Sequence, residues 1–134
     1  MSKAILVIDD DAGIREVLSD VLADEGYTVA TAANGREALG YLKQHGNSPP
    51  GLILLDLMMP VMDGWAFLDA YAADSTLPSA PVVVLSANLA ATGGEHRDDV
   101  LLYLRKPLDL ERLLETVSRW CIDHGNGSGR QAAC

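Results

Sequence analysis

"LILLDLMMPVMDGW" occupies residues 52–65. An unbroken apolar run ends in Asp56, and Asp63-Gly64 follows a few residues later. A continuous apolar run of this length suits a strand buried on both faces, as in a parallel sheet covered by helices. Aspartate is a poor strand former, and a buried, unpaired carboxylate is costly. Asp56 therefore either starts a turn or serves a site that needs a carboxylate at the end of a strand.

The same alternation extends in both directions from this stretch. "AILVI" (4–8) reads as a first buried strand. Ile14, Val17, Leu18, Val21 and Leu22 then recur on one face of an amphipathic helix, with Gly26 as its C-terminal stop. "YTVATA" (27–32) is a more polar strand, expected near an edge of the sheet. Asn34 caps a helix that Gly46 and Pro49-Pro50 shut off. Strands are expected over 51–55, 82–85 and 100–104, and helices after the caps Asp63 and Asp109. Leu110, Leu113, Leu114, Val117 and Cys121 give the last helix an apolar face. Five such units in a row predict an α/β fold: a doubly wound, five-stranded parallel sheet with helices on both faces.

The chain has 134 residues, 49% of them hydrophobic, which suits one domain with a real core. Its formal net charge of −9 argues against non-specific nucleic-acid binding, which needs clustered Lys and Arg. No apolar run is long enough to span a membrane, and the N-terminal apolar stretch meets Asp9 too early for a signal peptide. The expected location is cytoplasmic. Residues 1–123 are read as the domain, and the glycine-rich 124–134 as a disordered tail.

Sheets of this kind build their sites beyond the carboxyl ends of the strands. Asp9 and Asp10 follow the first strand, Asp56 ends the third, Ser86 the fourth and Lys106 the fifth. Taken singly, each has an ordinary explanation as a cap, a turn residue or a surface charge; Asp11 is read as a helix cap. Their joint placement on one sheet edge is what points to chemistry. Carboxylates ~5 Å apart repel by roughly 3 kcal/mol per pair at an effective dielectric of ~20, so the cluster calls for a cation. Oxygen ligands without His or Cys favour a hard divalent ion, Mg2+ above others. A metal, a carboxylate, a hydroxyl and a lysine suit phosphoryl transfer with Asp56 as the nucleophile, which becomes an acyl phosphate.

"ILVIDDD", "LILLDLMMPVMDGW", "VVVLSA" and "YLRKP" together resemble the receiver domain of two-component response regulators, over about Lys3 to Ile122. The resemblance implies a flavodoxin-like strand order 2-1-3-4-5 and a phosphoacceptor role for Asp56. It implies that Asp10 and Asp56 ligate Mg2+ directly, that Asp9 acts mainly through water, and that Met58 lends its backbone carbonyl. It makes Ser86 the switch hydroxyl, Tyr103 the switch aromatic and Lys106 the bridge to the phosphoryl group, with a cis Lys106-Pro107 bond. The implied phosphodonor is a histidine kinase or a histidine phosphotransfer protein, and the downstream protein target is undefined. Such a protein is a signalling phosphoacceptor that assists only its own phosphorylation and dephosphorylation.

"ANLAATGGEHRDDVLL" (87–102) departs from the family, which carries a full helix there; Gly93-Gly94 weakens any helix. Residues 88–99 are therefore expected to be the most mobile part of the domain and to be ordered by phosphorylation. Two other readings compete. "DDDAG" echoes haloacid-dehalogenase-type phosphatases, with Asp9 as nucleophile and Asp11 as acid/base, but Asp98-Asp99 precede the lysine, the reverse of that family's order, and Asp56 is left without a role. A receiver-like docking module that works without phosphate would not need the site residues at all.

Overall fold

The structure is a computed structural model that describes residues 3–59, 61–77, 79–86 and 100–121. The expectations for segment 88–99 and for the tail 124–134 lie outside the described residues.

Among the described residues, five strands and four helices follow one another: β1 (Ala4–Ile8), α1 (Ala12–Asp24), β2 (Thr28–Ala32), α2 (Gly35–Gln44), β3 (Leu52–Asp56), α3 (Gly64–Ala73), β4 (Val82–Ser86), β5 (Leu102–Arg105) and α4 (Leu110–Trp120). The strands form one parallel sheet in the order β2-β1-β3-β4-β5, so the polar β2 is an edge strand. Successive side chains of a strand point to opposite faces. In β1, Ile5 and Val7 face one side and Leu6 and Ile8 the other; β3 and β4 divide likewise. One face is covered by Leu18 and Leu22 of α1 and Leu113 and Val117 of α4. The other is covered by Ala38 and Leu42 of α2 and Phe67 and Leu68 of α3. Both faces are dry, which is why these strands carry no polar residue before their C-terminal ends.

Side-chain caps fix where the helices begin. Asp11, Asn34, Asp63 and Asp109 each accept backbone N–H groups of the first turn. Gly26, at φ +95°, lets the chain leave α1 in the left-handed conformation, and the Tyr27 N–H returns to the Leu22 carbonyl. β3 and β4 each run one residue further than the apolar pattern predicts, so Asp56 and Ser86 are the last residues of their strands. The ladder continues because Asp56 pairs with Leu85 and Ser86 with Arg105. β5 starts two residues later than expected, at Leu102. Among the described residues no helix is long and apolar enough to cross a membrane.

Candidate functional site

The strand order reverses at β1/β3, and this switch point opens a crevice beyond the C-terminal ends of these two strands. β1 delivers Asp9 and Asp10 to it, and β3 delivers Asp56. Oxygens of these three carboxylates lie within 4.8 Å of one another. Asp9 is fully buried and Asp56 is 4% exposed, whereas Asp10 is open to solvent.

Lys106, just past β5, reaches into the cluster. Its Nζ donates to Asp9 Oδ2 at 3.0 Å and lies 3.3 Å from Asp56 Oδ1. The Lys106 N–H is anchored on the Ser86 carbonyl at 2.8 Å, and the Lys106-Pro107 peptide is cis. Ser86 itself is buried at the end of β4. Tyr103 sits two residues nearer the strand start than Arg105, half-buried against the α2/α3 face of the core.

Both carboxylate oxygens of Asp9 are already hydrogen-bonded, and so are its backbone groups. Its Oδ1 accepts the Asp11 N–H at 2.9 Å, its Oδ2 takes Lys106, its N–H donates to Ala32, and its carbonyl accepts Arg15 Nη1 at 2.6 Å. Asp56 is less committed: its Oδ1 accepts a long bond from the Met58 N–H, at 3.4 Å. Asp11, close by in sequence, spends Oδ1 on the Gly13 and Ile14 N–H groups and is a cap.

Burial pushes the Asp56 pKa above the ordinary carboxylate value, and the charge of Asp9 adds to this against Lys106 and the Met58 N–H. Burial alone would lower the Lys106 pKa, but its hydrogen bond to Asp9 and the charges of Asp9 and Asp56 outweigh that and raise it. Asp56 holds its proton more tightly chiefly because it is buried, and Lys106 because Asp9 and Asp56 stand beside it; three carboxylates facing the Lys106 ammonium leave a deficit of positive charge. A hard divalent cation fits that deficit, and the all-oxygen donor set suits Mg2+.

Two glycines let the loop after β3 close over the site. A Cβ on Gly64 would stand 2.8 Å from the Asp56 carbonyl oxygen and from Leu57, so α3 packs directly on the backbone that carries Asp56. A Cβ on Gly35 would strike the Met62 side chain at 2.8 Å, and the Gly35 N–H donates to the Met62 carbonyl. Between them Val61, 72% exposed, is held at φ +67°. The sequence signalled the Asp63-Gly64 pair as a helix start. It gave no sign of the Arg15 contact or of the strained Val61, because both depend on how the loops meet.

The family profile for the response regulator receiver domain matches residues 5–118. The response regulator Rre1 of Synechocystis is 37% identical over 114 residues, covering 82% of this chain and 48% of that protein. The chain spans about half or less of the length of the curated relatives it matches. The chemotaxis response regulator CheY4 of Vibrio cholerae superposes with a TM-score of 0.78 at 32% identity, covering 89% of this chain and 98% of that one. The response regulator TrrA of Thermotoga maritima, solved in complex with Mg2+-BeF, superposes with a TM-score of 0.71 at 31% identity over 86% of this chain and 96% of its own.

Proposed function

Because the chain belongs to the response regulator receiver domain family, we propose that it is a phosphoacceptor switch that takes a phosphoryl group onto Asp56. The observation that carries this reading is the buried Asp56 carboxylate, 3.3 Å from Lys106 Nζ, in a cluster with Asp9 and Asp10. Asp56 is the least committed of the two buried acids, which is what a nucleophile needs.

In the transfer, an Asp56 oxygen bonds to the phosphorus of a phosphohistidine. The P–N bond breaks, and the imidazole nitrogen leaves with the electron pair and takes up a proton from solvent. Asp56 becomes an acyl phosphate. Lys106 stays charged at neutral pH, since its pKa is raised, and neutralises a phosphoryl oxygen. Ser86 is the hydroxyl assigned to a second oxygen, and Tyr103 the ring that repacks with it. Asp10, Asp56 and the Met58 carbonyl would hold Mg2+, with Asp9 acting through water; the bound metal would supply charge neutralisation for the phosphoryl oxygens. The Mg2+-BeF complex of TrrA supports this assignment by likeness. A histidine kinase or phosphotransfer protein is the donor in this reading, which places the switch, residues 1–123, in the cytoplasm.

Acetyl phosphate with Mg2+ should add one acid-labile phosphoryl group, read by intact mass, and Asp56→Asn should abolish it. Label that survives Asp56→Asn would move the nucleophile, to Asp9 in the phosphatase alternative. A protein that takes no label from acetyl phosphate or from any phosphohistidine donor would be a docking module instead.

A further inference from the structure

Arg15 is one turn into α1, and its main-chain N–H closes the first helical bond, onto the Asp11 carbonyl. Its side chain turns back toward β1, and Nη1 donates to the Asp9 carbonyl at 2.6 Å. That carbonyl belongs to the peptide that joins Asp9 to Asp10. A charge-assisted bond to that peptide oxygen restrains the orientation of the peptide plane, and with it the position of the Asp10 Cα from which the carboxylate projects. Among the described residues, every other group that holds this turn acts on Asp9 or Asp11: Ala32 on the Asp9 N–H, Lys106 and the Asp11 N–H on the Asp9 carboxylate, and the Asp11 cap on α1. Asp10 is solvent-exposed, so neighbouring bulk does not set its direction.

We propose that Arg15 is a positioning residue: it locks the Asp9–Asp10 peptide so that the Asp10 carboxylate faces Asp56, and thereby raises the site's affinity for a divalent cation. The inference rests on the reading of the acidic cluster as a Mg2+ site. Two effects of Arg15 oppose each other. As a positive charge near the cluster it repels a cation, and its removal would tighten binding. As an orienting partner behind a ligand it helps, and the loss of such partners lowers metal affinity by about 10- to 100-fold. The bond at 2.6 Å to the peptide that carries Asp10 makes orientation the larger effect.

The sign of the change therefore decides the matter. Arg15→Met removes donor and charge; Arg15→Lys keeps the charge and loses the planar fork. Mg2+ affinity is read from Trp65 fluorescence and from the amide signals of residues 9–11, with urea midpoints measured alongside. Arg15→Met is expected to weaken Mg2+ binding by about tenfold, and Arg15→Lys by less. The metal-free Asp10 and Asp11 amide signals should shift in both. Should Arg15→Met fail to fold, Arg15→Lys carries the test. Wild-type or tighter Mg2+ binding in a folded variant overturns the positioning role while leaving the metal site intact. A wild-type protein whose signals ignore millimolar Mg2+ overturns both.

Discussion

Replacing Lys106 with Met tests the electrostatic account of the site most directly. Lys106 Nζ lies 3.0 Å from Asp9 and 3.3 Å from Asp56, and both acids are buried. At an effective dielectric of ~20 these two attractions are about 5.5 and about 5 kcal/mol, against a carboxylate repulsion of about 3.5 kcal/mol or more at the separation in the cluster. Desolvation of the ammonium offsets part of the gain. What survives when one partner of a buried ion pair is removed is about 3–5 kcal/mol, and that is the expected loss at neutral pH without divalent metal. The loss has a pH course with a definite sign. The Asp56 pKa is already raised, and the variant lacks the ammonium that pulls it down, so it rises further. A carboxyl with a raised folded-state pKa stabilises the fold fully below its unfolded value of about 3.9 and loses that stabilisation as pH rises through the folded value. The deficit of Lys106→Met should therefore shrink from about pH 7.5 to about pH 3.9, the unfolded carboxylate value, by which protonation of Asp56 has removed the repulsion. Millimolar Mg2+ should recover part of it. Urea unfolding in chelator at the two pH values, and then with Mg2+, measures all three. A loss under about 1 kcal/mol at neutral pH, or an equal loss at both, would refute the claim that Lys106 is what the buried acids depend on.

The same reasoning predicts that Asp56→Asn is more stable than the parent at neutral pH without metal, because Asp56 carries its charge reluctantly; the gain should fade as pH falls through the raised folded-state pKa and be gone by the unfolded value of about 3.9, and calorimetry in chelator would show it. Gly64→Ala should cost about 1–3 kcal/mol in urea unfolding, since a Cβ meets the Asp56 carbonyl and Leu57 at 2.8 Å and backbone must yield. It should also slow labelling by acetyl phosphate, because the displaced backbone is the one that carries Asp56. Val61→Gly should stabilise the protein by about 0.5–1 kcal/mol: it relieves about 1–2 kcal/mol of left-handed strain at φ +67° and gives back part of that as glycine entropy. An unchanged urea midpoint would mean that Val61 is not strained in solution.

The sequence by itself determined the layered sheet and the gathering of Asp9, Asp10, Asp56 and Lys106 at one sheet edge. "AILVI", "LILL" and "VVVL" are apolar throughout, and only a sheet covered on both faces has a use for such strands. Asp11, Asn34, Asp63 and Asp109 marked the helix starts because capping is chemistry between neighbours in sequence. Asp9, Asp10, Asp56, Ser86 and Lys106 could be gathered in advance because parallel strands bring all their C-terminal ends to one edge. What tertiary structure alone decided is how those groups share charge. Asp9 proved to have both carboxylate oxygens bonded, whereas Asp56 takes Lys106 and the Met58 N–H on Oδ1 alone, although both are buried acids at strand ends. The difference lies in which N–H and Nζ groups reach each oxygen, and those come from segments up to 97 residues apart in the chain. Arg15 reads in sequence as one more charge on an amphipathic helix. Its bond to the Asp9 carbonyl exists only because α1 leaves β1 at the angle set by packing of Leu18 and Leu22 on the sheet. Periodicity and capping are local and leave a trace in the order of residues; the direction of a long side chain over a loop is fixed by packing, and leaves none.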